Sequence, residues 1–166
     1  MADTVSARQH FIDTFAREHA TTLKVARAFP VDRGDFRPHE RSSPARQLLS
    51  TFVREQEMIR RALSGNFQLG AGMPQLPDDV GAIVDRFDAD FTTLLGELRS
   101  APDAAFGGTV TFYAGPGKTA DYPVLQFMWF MLHDQIHHRG QLSVYLRMAG
   151  GKVPSIYGPS ADEPWR

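Results

Sequence analysis

Apolar residues recur along this chain at the helical period in four separate stretches. Phe11, Ile12, Phe15, Leu23 and Ala26 form the first, and Pro30 with the following VDRGD closes it, so a helix is expected over about Ser6 to Phe29. Ser43 and Pro44 read as an N-cap and first-turn pair for a second helix, carried by Leu48, Leu49, Phe52, Ile59 and Leu63 to a stop at Gly65. The Gly- and Pro-rich FQLGAGMPQLP, Phe67 to Pro77, marks a linker. A third helix then opens on acidic residues and spans about Asp78 to Arg99.

Ala101 to Thr119 holds four glycines and two prolines around TVTFY, which reads either as a loop or as a short strand pair lying over the helices. Asp121 is the expected cap of the last and most apolar helix, YPVLQFMWFMLHDQIHHRGQLSVYLRMA, which stops at Gly150 and Gly151 with Pro154 beyond. Four helices of similar length predict an all-α four-helix bundle, with the connection before the last helix long enough to cross over.

The 166 residues suit one domain over 1–166, and 42% hydrophobic with 22% charged residues suits a packed core. Eighteen basic and nineteen acidic residues without long runs of one sign argue against a nucleic-acid partner. The opening MADTVSARQHFIDTFARE interrupts its apolar residues with charges, which predicts no membrane segment and a cytoplasmic protein. With no cysteine, a metal site has only nitrogen and oxygen ligands to draw on.

The histidine-rich HDQIHHRGQ segment of the last helix contains two pairs at i,i+4 spacing, His133 with His137 and Asp134 with His138, and either spacing lets one helix offer two ligands to one ion. Asp134 and His138 fall at the seven-residue rhythm of Phe127, Met131, Leu142 and Tyr145, so they are expected to face inward, with His133 and His137 on the flank. A third ligand must come from another helix. Glu55 follows Leu48, Thr51 and Phe52 on the inward side of the second helix, with Gln56 beside it. Its other reading is an ion pair with an arginine at the bundle edge. An Asp134–His138 hydrogen bond without metal is the plainer alternative for that pair. His19 reads as a packed histidine.

HHRGQLSVYLRMAGGKVPSIYG resembles the last-helix signature of the DinB family, bacterial DNA-damage-inducible-like proteins, and FRPHERSSPARQLLSTFVREQE resembles its second-helix segment. The resemblance implies a DinB-type bundle, a homodimer, and a divalent ion such as zinc, nickel or iron held by one histidine of the second helix and two, four apart, of the last. Here His138 matches, Asp134 stands one turn earlier, and the second-helix position falls on Thr51, with Glu55 one turn on as the compensating ligand. Trp129 and Val144, off the core arc of the last helix, point to the same homodimer. The implied activity is that of a metal-dependent enzyme acting on a small electrophile, as a thiol-dependent transferase or a hydrolase, with His137 or Glu55 as general base. The alternative is a non-catalytic stress-response or binding protein with a degenerate site.

Overall fold

The structure, a computed structural model, describes residues 6–165; the first five residues of the MADTVSARQH segment lie outside it. Four helices form the body: α1 (Ala7–Arg27), α2 (Ala45–Leu63), α3 (Val80–Ser100) and α4 (Val124–Met148). Helices α1 and α2 each pack against both α3 and α4, so the order around the bundle is α1, α3, α2, α4. Two connections therefore span a diagonal, from α1 to α2 and from α3 to α4, where the sequence pointed to one. No helix among the described residues is long and apolar enough to cross a membrane.

The helix starts show how the ends are satisfied. Ser6 caps α1 through its hydroxyl, which accepts from the Gln9 amide at 3.1 Å, and Asp79 caps α3 by accepting from Ala82 at 2.8 Å. At α2 the expected Ser43 cap is replaced. Pro44 takes the cap position without a side-chain bond, and the amides of Ala45 and Arg46 donate to the carbonyls of Phe36 and Gly34 in the preceding loop. That loop does the work a cap side chain does elsewhere.

The segment before α4 is a strand pair, β1 (Thr109–Gly115) and β2 (Lys118–Pro123), antiparallel with Val110 opposite Tyr122 and Phe112 opposite Ala120. Its tight turn uses positive backbone angles at Gly115 and Gly117 (φ +145° and +67°), open to glycine without strain. Asp121 consequently is not the cap of α4. It lies in β2 and accepts the Thr111 hydroxyl at 2.6 Å, while the Val124 amide at the helix start donates to the carbonyl of Gly108. Phe112 seats the hairpin, with its ring 5.1 Å from Phe127 and 6.0 Å from Phe67.

The core is divided. One apolar half gathers Phe11, Phe15, Ile59, Leu94, Leu98 and Met131 with their neighbours; the other gathers Val25, Leu49, Phe52, Ile83, Phe87 and Leu146. Between them each helix contributes polar groups: His19 and Thr22 from α1, Glu55 and Gln56 from α2, Asp88 from α3, and Gln135, His138 and Arg139 from α4. Hydrogen bonds join them across the bundle, except Gln135, whose amide has no partner among the described residues. His19 contacts Asp88 at 3.2 Å and Gln56 at 3.4 Å, Glu55 contacts His138 at 3.0 Å, and Arg139 reaches the Glu18 carboxylate at 2.7 Å and Thr22 at 3.3 Å.

Candidate metal centre

Glu55 and His138 lie on facing helices, α2 and α4, in the polar layer. Alternation of Leu48, Phe52, Glu55 and Ile59 at helical spacing carries Glu55 inward, and its side chain is completely buried. One of its carboxylate oxygens is 3.0 Å from His138 Nδ1, and the other, Oε2, has no hydrogen-bond partner among the described residues. Asp134, one turn before His138 on α4, stands 3.9 Å from the same Nδ1. The three residues each offer a ligand atom, all within 4.8 Å of one another, and they are the only such group among the described residues.

Burial dominates the electrostatics. Removal from water pushes the Glu55 carboxyl up to about 7, against the opposing pull of His138. The bond to Glu55 raises His138 above the usual imidazole range, against the effect of its own partial burial. Without an ion, both shifts favour keeping protons on the pair. When ionised, the two carboxylates with a neutral imidazole carry a charge of minus two, a donor set suited to a divalent cation. The orphaned Glu55 oxygen is the observation that tests the fit: a buried carboxylate oxygen requires a donor or a cation, and a cation meets that need.

The remaining sequence-derived positions are dispersed. His133 and His137 are exposed on the flank of α4, His133 against Trp129 and His137 bonded to Gln141 at 2.9 Å. Thr51 donates its hydroxyl to the Gln47 carbonyl one turn back and lines a groove between α2 and α4. Glu55 pairs with His138 and not with an arginine. His19 is packed as expected, stacked on Phe91 at 3.6 Å, and its burial lowers it to about 4, so it is neutral.

The inward line of α4 differs from the expected one by a residue. Its centre runs through Met128, Met131, Leu132, Gln135, Arg139, Leu142 and Leu146, with Gln135 and Arg139 about 1% exposed. Asp134 and His138 border that line on the α2 side, and both keep some access to solvent. Gln135 and Arg139 were absent from the sequence reading. Their spacing from Met131, Leu132 and Leu142 was the available signal, hidden by their polarity.

His138 opens onto the groove beyond Thr51, a cavity of about 760 Å³ that also takes in Ser42, Arg54, Gln141 and Tyr145. A partly buried cluster of donors thus lies beside a groove open to solvent. The sequence pattern that describes the DinB family matches residues 1–165. The chain belongs to the DinB family. Among solved structures, the fold is similar to a DinB-like protein from Bacillus cereus ATCC 10987, with a TM-score of 0.73 at 20% identity over 89% of this chain and 95% of that one. It is also similar to the DinB-like protein YjoA of Bacillus subtilis, with a TM-score of 0.67 at 15% identity over 86% and 94%. The Bacillus subtilis protein YrdA shares 50% identity over 36 residues, so the match spans 22% of that curated relative's length. At these identities the solved structures speak for the DinB fold alone.

Proposed function

We propose that this DinB-family chain is a divalent-metal-dependent enzyme that acts on a small electrophile, either as a thiol-dependent transferase or as a hydrolase. The observation that carries the reading is the fully buried Glu55 carboxylate, with one oxygen on His138 and the other unpartnered, beside a groove open to solvent. Glu55, Asp134 and His138 would hold the ion, which when bound supplies Lewis acidity to an oxygen or sulfur group brought into the groove. The protein's part is to keep Glu55 out of water and ionised against that charge, and to orient the His138 ring through its Nδ1 contact with Glu55. Thr51 and Gln141 supply hydrogen-bonding groups on the groove wall.

Metal content and affinity test this. Protein purified without an affinity tag should bind about one zinc or nickel ion that a chelator removes. Glu55→Ala, Asp134→Ala and His138→Ala should each lower affinity by at least about tenfold, the scale set by loss of a ligand or its orienting partner, while His133→Ala should not. A His133→Ala loss equal to that of His138→Ala overturns the assignment. The alternative, a non-catalytic binding protein in which Glu55 and His138 only stitch the polar layer, requires a protein that binds no ion.

The same reading includes a homodimer formed through α4. Trp129 no longer supports it, because its ring packs on Phe11 and His10 of its own chain. The support is Phe130 and Met148, each more than half exposed on α4, with the equally exposed Val144 at the edge of the groove. Light scattering should give twice the chain mass at micromolar concentration, and a monomer there ends the proposal.

A further inference from the structure

The groove beside His138 has a chemical polarity of its own. Its α2 wall carries Gln47, Thr51 and Arg54, spaced one turn apart, and its α4 wall carries His138, Gln141 and Tyr145. Among the described residues, no carboxylate lines it. Of the four arginines in α2, Arg46 pairs with Asp35, and Arg60 and Arg61 both pair with Glu57. Arg54 has no ion-pair or hydrogen-bond partner among the described residues and is exposed at the groove.

We propose that the groove binds a small molecule carrying an oxyanion, a carboxylate or a phosphate, with Arg54 as its ion-pair partner and the reacting end directed to His138. A guanidinium offers paired N–H donors whose spacing matches such oxygens, and an arginine facing a groove without acids keeps that capacity for a ligand. The amino end of α2 does not compete for the role, because the amides of Ala45, Arg46, Gln47 and Leu48 are all committed to carbonyls. The cavity, about 760 Å³, lies in the range of small-molecule sites. The proposal rests on the metal reading only for what happens at the reacting end; the anion contact with Arg54 needs no ion.

The test is a titration of the full chain with succinate and, separately, inorganic phosphate, followed by NMR of the Arg54 side chain and the Gln141 amide. It is run on metal-free and on zinc-treated protein. Saturable shifts at both residues in the metal-free protein are expected, weakened by added salt. Arg54→Gln should weaken binding about two- to fivefold, the scale of an ion pair at an exposed site, and Arg60→Gln should leave it unchanged. The tighter of the two anions identifies the class as carboxylate or phosphate. Absence of saturable shifts with either anion overturns the proposal, as does binding that Arg54→Gln leaves intact. Binding seen only with zinc and indifferent to Arg54 would assign the anion to the ion, which also overturns it. Failure of zinc to bind, with succinate or phosphate still held through Arg54, leaves the anion site standing and removes the metal reading alone.

Discussion

At the scale of single residues, Glu55 concentrates the cost and the use of the site. A carboxyl that titrates near 7 in the folded chain and at its ordinary 4.5 in the unfolded one favours unfolding as pH rises between those values. Above them the metal-free protein carries the full penalty, at most about 3 kcal/mol by the conversion of pKa shift to free energy. His138, raised by the same bond, works in the same direction, because its contribution is present below its unfolded pKa and lost as pH climbs through the folded one. Glu55→Gln removes the charge and keeps the shape. The difference in melting temperature between metal-free Glu55→Gln and the parent should therefore shift in favour of the variant from pH 5 to pH 8, and added zinc should raise the melting temperature of the parent only. A parent curve that gains stability over that pH range, relative to the variant, contradicts the burial argument. The inward direction of Glu55 was legible in the sequence, because apolar neighbours at helical spacing fix the direction of a side chain; Asp134 and His138 come near it but border the buried line of α4, where the sequence pointed to its centre. Gln135 and Arg139 were not legible: the groups that make the burial of Arg139 tolerable, Glu18, Thr22 and Tyr157, come from distant parts of the chain, and Gln135 has no hydrogen-bond partner among the described residues to explain its burial.

Among the elements, the four helices were legible from period alone, and their ends were legible where a side chain forms the cap, at Ser6 and Asp79. Where loop carbonyls or a strand pair cap the helix, at α2 and α4, local sequence pointed to the wrong residue, since the capping groups are backbone atoms from elsewhere. The end of α4 shows how tightly such a junction is built. Ala149 closes the helix, Gly150 turns the chain at φ +89°, and Gly151 passes so near Leu146 that an added methyl group would lie 2.2 Å from its Cδ1 and 3.3 Å from the Ala28 carbonyl. Leu146 is fully buried and has little room to yield. Gly151→Ala should cost about 1–3 kcal/mol, the range for overpacking a filled core. Chemical denaturation measures it, and a variant as stable as the parent means the junction relaxes freely.

Across the whole molecule, Arg139 joins three parts of the chain. From α4 its guanidinium bonds to the carboxylate and carbonyl of Glu18 and to Thr22 on α1, and to the Tyr157 hydroxyl in the segment after α4. That segment is also held to α1 by Lys24 with Glu163 and to α4 by Arg147 with Asp162. Those outer pairs are largely exposed and worth little each, so the attachment rests on the buried arginine together with Val153 and Ile156, which pack on the core. Arg139→Ala leaves the Glu18 carboxylate with only the Tyr157 hydroxyl and should destabilise the fold by up to about 3 kcal/mol, the lower end for breaking a buried pair. It should also speed amide exchange over residues 152–158 beyond the effect of global unfolding. Unchanged exchange there would place the anchorage in the exposed pairs instead.

The band of polar groups between the two apolar halves has a consequence for how the helices find their alignment. A core of interchangeable aliphatic side chains lets one helix slide along another by a turn, about 5.4 Å, at modest cost. Here a slide of α1 or α4 would carry His19 or Arg139 out of the band and into hydrocarbon, while leaving Asp88 or Glu18 without its counterpart. Each helix bears its mark at one level only, so the band works as a set of notches that admits a single vertical setting of the bundle. The same setting brings Glu55 level with His138.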